Sequence, residues 1–493
     1  MAKSNSAAIR GILPVARVLG LLLMLFSSTY LLPICCSLIF RDGEHWEFVA
    51  AMAINFVIGL GLWLLTRHAK RDIMPREGFL LVSLSWVLMA ACATIPLLIT
   101  IDGLSFTDAM FETVSGLTTT GSTVLTGLDG LAPSVNFWRH ALIWLGGMGI
   151  IVLAVAILPL LGVGGMQLYK AETPGPIKDE KLTPRITQTA KSLWLVYVAM
   201  TGLCIVSFQL AGMSWFDAFC HAFATLGLGG FSTHDASFGY FNSPLIEAVA
   251  IVFMLVAAMN FATHFLAWRS GSFRAYRQDA EAMAMLAVIG IAILIVTLFI
   301  WHSGTYESFW ISLRHVAFNL VSMATDCGFV SADYNAWPIF APMLFLLLSS
   351  VCASSGSTGG GIKMVRTLLL FKQSRKEMSA LLHPSAVQVV KVGGRVIPPK
   401  VMTAVLGFIH LYSISVVTLT LIMLATGLDF LTAFSAVIAS INNAGPGLNI
   451  VGPAGTYGPL TDFQTWICTF AMLLGRLEVF TLLVIFTPTF WRD

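Results

Sequence analysis

The sequence predicts an all-α polytopic membrane protein, and three observations carry that reading. First, 57% of its 493 residues are hydrophobic and 11% charged, with a mean hydropathy of +0.83, whereas soluble domains carry about a quarter charged residues. Second, continuous apolar segments about 20 residues long recur, the length that crosses a hydrocarbon core as a helix; a β-barrel would instead show short alternating segments. Third, four short helix-like segments each run into a glycine-bearing polar turn lodged between two such stretches. The turns are TTTGST (Thr118–Thr123), GLGGFS (Gly227–Ser232), TDCGFV (Thr325–Val330) and NNAGPG (Asn442–Gly447).

Two leading spans are expected near residues 14–39 and 47–66, within a first segment 1–70. Lys3, Arg10 and Arg17 ahead of Leu19–Phe26 resemble the start of a secretory signal. No small-residue cleavage site follows, so an uncleaved first helix is expected. The rest divides into four units of span, short helix, turn and span, at 71–170, 171–272, 273–375 and 376–493. Their apolar parts lie at 78–169, 188–269, 280–372 and 398–490, giving ten crossings and four re-entrant segments.

Charge orients the chain. Of 28 Lys and Arg residues, 24 lie at the N-terminus, in 67–76, 170–191, 269–277 and 363–400, and at Arg492. Arg41, Arg139 and Arg314 fall on the other side, and Arg476 lies within a span. The positive-inside rule then puts both termini in the cytoplasm and the turns outside. Every unit begins and ends on the same side, so the repeats are parallel. The expected architecture is two leading helices plus four parallel repeats around one pseudo-fourfold pore.

The repeat is visible residue by residue. Asp108-Ala109 stand 13 and 12 positions before Gly121, Asp217-Ala218 before Gly230, and Thr432-Ala433 before Gly445; before Gly328 the pair is His315-Val316. Asp108 and Asp217 are expected to cap the first turns of their short helices. The eight cysteines are scattered through apolar stretches with no C-x-x-C pair or metal spacing, and read as small core residues.

A turn at membrane depth must satisfy its backbone groups and survives only where it lines water or grips something. Turns rich in Gly, Thr and Ser, each reached by a short helix, would present carbonyl oxygens to a central axis and replace the hydration shell of an alkali cation. The candidate ring residues are Thr118, Thr119, Thr120 and Gly121; Gly227, Leu228, Gly229 and Gly230; Thr325, Asp326, Cys327 and Gly328; and Asn442, Asn443, Ala444 and Gly445. An ordinary loop is the plain alternative for any one turn taken alone. Asp326 would either place a carboxylate at the mouth or bond to local amides.

Two more features bear on a gate. The second span of unit three is interrupted by Ser354, Ser355, Gly356, Ser357, Thr358, Gly359, Gly360 and Gly361, a composition no quiet helix holds. It reads as an intramembrane loop with helix resuming at Met364; a cytoplasmic loop at the end of the span is the alternative. Arg476 lies about 20 Å along a helix from Phe463, with no acid three or four positions away. It is expected to face a wet cavity or the loop's carbonyls, or else to pair with a distant acid such as Glu112.

Four strings resemble the Trk/Ktr/HKT superfamily of cation transporters, most closely its bacterial Trk potassium-uptake membrane subunits (TrkH/TrkG type). They are SGLTTTGST (Ser115–Thr123), the long run Trp144–Pro176, SGSTGGGIK (Ser355–Lys363) and LLGRLEVFT (Leu473–Thr481). The resemblance runs nearly end to end. It implies that Gly121, Gly230, Gly328 and Gly445 are the four filter glycines, with K+ as the transported ion held at the ring residues. It makes Ser354–Gly361 the gating loop and Arg476 the pore arginine. It also implies a multi-pass protein of the bacterial inner membrane, a homodimer, and a cytosolic nucleotide-binding ring (TrkA type) as partner, so that nucleotide sits on the partner alone. The basic stretches 170–191 and 363–400 would dock that ring, though anionic membrane lipid would suit the same charges. No covalently bound cofactor, nucleic-acid partner or enzymatic activity is expected.

Two other readings stay open. A proton- or sodium-coupled symporter would need an intramembrane titratable site, for which His221, His264, His302 and Glu112 are candidates. A serine hydrolase would use Ser357, but no G-x-S-x-G or H-E-x-x-H is present and the turns would be unexplained.

Overall fold

The computed structural model describes residues 2–69, 71, 73–152, 186–386 and 388–491. The part of the Trp144–Pro176 string beyond Val152, the basic stretch 170–191 up to Arg185, the boundary between the first two units, and Arg492 lie outside the described residues.

The first helix, Ala2–Ser27, passes through a short 3-10 turn into Leu31–Phe40, and the second spans His45–Thr66. They cross where glycines let the backbones touch: a Cβ added to Gly20 would lie 2.7 Å from Gly59 O. Tyr30 stacks on Trp138 with ring centroids 4.6 Å apart and donates to Cys92 O at 2.8 Å. The first helix is thereby built into the core.

Four repeats follow. The first comprises Pro75–Thr100, the short helix Phe106–Leu117 and Pro133–Val152. The second has Ile186–Leu210, the short helix Trp215–Gly227, then Pro244–Ala257 and Phe261–Ser270. In the third, Ala280–His302 and the short helix Phe309–Ala324 precede Phe340–Val351 and Met364–Leu382. The fourth has Pro399–Ala425, the short helix Phe430–Asn442, then Asp462–Arg476 and Val479–Leu483.

Among the described residues six helices are long and apolar enough to cross a membrane, and eight if each bent pair counts as one span. Ten were expected; the other two correspond to Pro133–Val152, which reaches the end of a described segment, and Phe340–Val351, which stops at the loop. The apolar patterning predicts continuous second spans in units two and four. Both break instead, by 96° after Ala257 and by 114° after Arg476. Asn260 starts a new helix by accepting from Ala262 N at 2.8 Å, and Glu478 takes a left-handed φ of 64°.

The caps also differ from expectation. Asp108 and Asp217 are not the capping residues. Ser105 and Ser214, three positions earlier, accept from the Asp108 and Asp217 amides at 3.0 and 3.1 Å. Their hydroxyls donate to the same aspartates' carboxylates at 2.8 and 2.7 Å. At the third position the aspartates accept from the serine hydroxyls, and their charge lies at the positive end of the helix. Asp429 caps the fourth short helix through Thr432 N at 3.0 Å. The third begins after Ser308 and is longer, 16 residues against 12 or 13 in the others. That extra turn puts His315-Val316 inside the helix.

The stretch 363–400 is structured. After the helix Met364–Leu382 a two-stranded antiparallel pair joins Lys391–Val392 to Arg395–Val396. Val390 and Val392 pack with Val365, Leu369, Met402 and Val405 in a small separate cluster. All eight cysteines are free and seven are buried.

Candidate functional site

All four turns close their short helices by one backbone pattern. The residue two before each glycine is left-handed: Thr119, Leu228, Asp326 and Asn443, with φ of 55°, 54°, 64° and 58°. The next amide bonds back five positions, Thr120 to Ser115 O (2.8 Å), Gly229 to Ala224 O (3.0 Å), Cys327 to Ser322 O (2.8 Å) and Ala444 to Ala439 O (2.9 Å). This is the Schellman ending. A left-handed residue with a Cβ costs about 1–2 kcal/mol, and here it recurs at non-glycine positions in every quadrant. Such strain persists only where its surroundings over-determine it.

The glycines then define a ring. A Cβ added to Gly121 would lie 2.4 Å from Gly229 O, and one on Gly230 2.4 Å from Cys327 O. On Gly328 it would lie 2.6 Å from Ala444 O, and on Gly445 3.0 Å from Thr120 O. Each glycine therefore faces the carbonyl that precedes the glycine of the next repeat, and the fourth returns to the first. The four turns close into one ring, largely backbone against backbone. The glycines of the first three turns also line one cavity with Ser122, Arg139 and Tyr457.

Hydrogen bonds stitch each seam. Phe231 O meets His140 Nε2 at 3.1 Å between repeats one and two, and Gly239 N donates to Val330 O at 3.2 Å between two and three. Asn449 N donates to Asn335 Oδ1 at 2.9 Å between four and three. Between four and one, Ser122 Oγ donates to Gly445 O at 2.8 Å and Asn443 Nδ2 to Thr120 Oγ1 at 2.9 Å.

The interrupting segment lies under these turns. Ser354, Ser355, Ser357, Thr358, Gly359 and Gly360 are buried, which rules out an ordinary cytoplasmic loop. Ser354 N donates to Ala258 O at 3.0 Å, and Phe261 N to Gly356 O at 3.1 Å. Ser355 N donates to Glu281 Oε2 at 2.8 Å, and Thr358 Oγ1 to Leu226 O at 3.0 Å. A Cβ on Gly359 would lie 3.0 Å from Thr325 O, and on Gly360 1.8 Å from Asn442 O. Gly360 is thus a position where only glycine fits. The loop presses on the C-terminal carbonyls of the second, third and fourth short helices, and helix resumes at Met364 as expected.

Arg476 is 3% exposed and ends its helix, because the chain bends immediately after it. Its Nη1 donates to Thr358 O at 2.7 Å and its Nη2 to Gly146 O at 3.3 Å. Of the roles open in the sequence, it takes the loop carbonyls. Pairing with Glu112 is excluded, since Glu112 accepts from Arg139 Nε at 2.7 Å with both side chains 1% exposed. Glu478 pairs with Arg366 at 2.6 Å, and Lys363 Nζ donates to Gly359 O. Asp326 is fully buried, with its carboxylate against the loop at 3.5 Å from the Gly359 Cβ position, so it is not at the outer mouth.

A family model described as cation transport protein, TrkH, matches residues 44–492. The chain belongs to the TrkH family. It is 48% identical to the Trk system potassium uptake protein TrkH of Halomonas elongata and 46% identical to that of Escherichia coli, over 97% of this chain and 99% of each relative. The crystal structure of the potassium transporter TrkH from Vibrio parahaemolyticus matches with a TM-score of 0.89 at 43% identity, covering 98% of this chain and all of that one.

In this TrkH-family chain several residues at the site escaped sequence reading. The Glu112–Arg139 pair, which also takes Val124 N at 3.1 Å, is separated by 27 residues, so helical spacing gave no signal. Glu281 is likewise far from the loop it holds. Gly146 and Gly475 press on the ends of the first and fourth short helices, where an added Cβ would lie 1.8 Å from Leu117 O and Ile441 O. A glycine inside an apolar span was the available clue. The titratable candidates for co-ion coupling are otherwise engaged: His221 with Asp217 O and Ser232 Oγ at 2.8 and 2.9 Å, and His264 with Tyr276 OH and Val256 O at 2.8 and 2.9 Å. His302 is exposed at a helix end. Ser357 Oγ donates to Ser354 O at 2.6 Å, a local turn bond and not a bond to a base.

Proposed function

We propose that this chain is the membrane pore of a potassium uptake system, with its four turns as the selectivity filter. The observation that supports this is the closed cyclic order of the glycine–carbonyl contacts, which brings the four turns together in one ring. Both relatives and the solved structure are named for potassium. Potassium sheds water into the ring, with Thr118–Gly121, Gly227–Gly230, Thr325–Gly328 and Asn442–Gly445 as its quadrants. It then meets a gate formed by Ser354–Gly361 and clamped by Arg476. The repeats run 71–170, 171–272, 273–375 and 376–493 after two leading helices in 1–70. Both termini lie in the cytoplasm of a bacterial inner membrane, as the charge distribution directs.

The functional unit is a homodimer controlled by a cytosolic nucleotide-binding ring docked on the basic stretches 170–191 and 363–400. Nucleotide binding on that partner draws the loop aside. Membrane potential alone drives uptake, at about 2.3 kcal/mol per unit charge per 100 mV. A potassium-uptake-deficient bacterium should grow at limiting potassium when given this chain and its partner. Reconstituted protein should pass current at fixed potential without any co-ion gradient. Strict dependence on a proton or sodium gradient would replace the pore by a symporter.

A further inference from the structure

Beneath the ring, one group has a structural position that the filter and gate leave unexplained. Asp326 is fully buried, and neither of its carboxylate oxygens has a hydrogen-bond partner among the described residues. The Gly360 amide approaches it without reaching hydrogen-bond geometry. Its backbone is pinned left-handed at φ 64°, so its direction is set by the turn. It lies at the C-terminus of the third short helix, where the helix dipole adds further negative potential. A buried carboxylate in such a place is costly unless positive charge balances it.

Lys363 and Arg476 are the resident cations whose fields reach Asp326. Both direct donors elsewhere, Lys363 to Gly359 O and Arg476 to Thr358 O. Glu281, the other carboxylate on the loop, accepts from Ser355 N. Beside Gly359 carbon and oxygen meet, with Ala353 Cβ 2.7 Å from the position of an added Cβ. Thr325 O lies 3.0 Å, and the Asp326 carboxylate 3.5 Å, from the same point beside Gly359. One carboxylate beside one main-chain carbonyl suits a hard monovalent cation; divalent ions are ordinarily held by more oxygen ligands, several of them charged.

We infer that the Asp326 carboxylate forms a separate cation-binding site on the loop side of the ring, receiving a dehydrated monovalent ion as it leaves the turns. This rests on the filter reading above and adds to it a stopping place between filter and gate. The carboxylate there would offset the repulsion that Lys363 and Arg476 exert on an ion along the path.

Crystals of the full-length chain soaked in thallous ion, an electron-dense substitute for potassium, test this directly. Density is expected within the ring and a further peak at the Asp326 carboxylate beside Gly359. In Asp326→Asn the second peak should vanish while the ring peaks remain. Rubidium flux into proteoliposomes at limiting rubidium should fall about tenfold, as loss of a focusing charge does, with the potassium-to-sodium ratio unchanged. Ring density without a peak at Asp326, or an Asp326→Asn protein that keeps both peak and flux, would overturn the inference and leave the filter intact. A peak at Asp326 that appears only with barium would overturn it in favour of a divalent site. Absence of density in the ring itself would overturn the filter reading instead.

Discussion

Gly121→Ser tests the ring most directly. The new Cβ would start 2.4 Å from Gly229 O, against ordinary contact of about 3.4 Å or more, so that carbonyl must retreat by about 1 Å. The φ of 79° at Gly121 adds about 1–2 kcal/mol for any residue with a Cβ. With about 1.4 kcal/mol per factor of ten, the preference for potassium over sodium should fall about tenfold. Gly230→Ser should behave alike, Gly328→Ser slightly less so, and Gly445→Ser least, following contacts of 2.4, 2.6 and 3.0 Å. Gly304 supplies the control: its φ is 74° and nothing lies within 4 Å of an added Cβ. Gly304→Ser carries the same dihedral cost with no collision, so ion preference should not change. The assay is paired rubidium and sodium flux into proteoliposomes at clamped potential. If Gly121→Ser matches Gly304→Ser in ion preference, or Gly445→Ser proves the most disruptive, the ring is not the selective element.

Other predictions concern the supports of the ring and gate. Glu112→Gln strands the buried Arg139 guanidinium and should cost about 3–5 kcal/mol, read as a lowered melting temperature in detergent; Glu112→Leu with Arg139→Met should recover most of it. Arg476→Ala removes the donors to Thr358 O and Gly146 O, each charged hydrogen bond being worth about 1.5–3 kcal/mol. Flux without the partner should rise about tenfold or more by that measure, and unchanged flux would remove Arg476 from the gate. Ser357→Ala loses one local bond worth about 1 kcal/mol and should keep transport; abolished transport with intact fold would reopen a chemical role for Ser357.

Hydrogen bonding from His234 holds the Asp129 carboxyl below its ordinary range, helped by the Asp235 amide and opposed by slight burial. A lowered folded pKa stabilises the protein above the unfolded value, about 3.9. That contribution is lost as pH falls through the folded value. With Asp129 half exposed it amounts to at most about 1 kcal/mol. The melting-temperature gap between native protein and Asp129→Asn should therefore close on acidification below about pH 4; a gap that persists there would assign it to packing.

The sequence revealed what depends on residue type and short range. Glycine between polar residues after an apolar helix announced each turn, and SSGSTGGG announced the loop, because no membrane helix holds that composition. The breaks after Ala257 and Arg476 were hidden, since AAMNF and GRLEV contain neither proline nor a glycine run at the bend. There the interruption comes from tertiary fit, through the Asn260 cap and the left-handed Glu478. The caps were misplaced by three residues because the aspartate looked like the stronger signal than the serine before it. Glu112–Arg139, Glu281–Ser355 and Arg476–Thr358 bring together residues 27, 74 and 118 positions apart, a relation that periodicity in a single chain does not encode.

The third turn carries an acidic residue that its three counterparts lack, and this asymmetry matters beyond the site itself. Were the conduit assembled from identical subunits, any such change would appear fourfold, crowding four like charges around a narrow lumen. Encoding all quadrants in one gene lets a single negative group be installed while the opposing walls stay neutral. Electrostatics along the route can then be adjusted one wall at a time, a freedom that homotetrameric conduits do not possess.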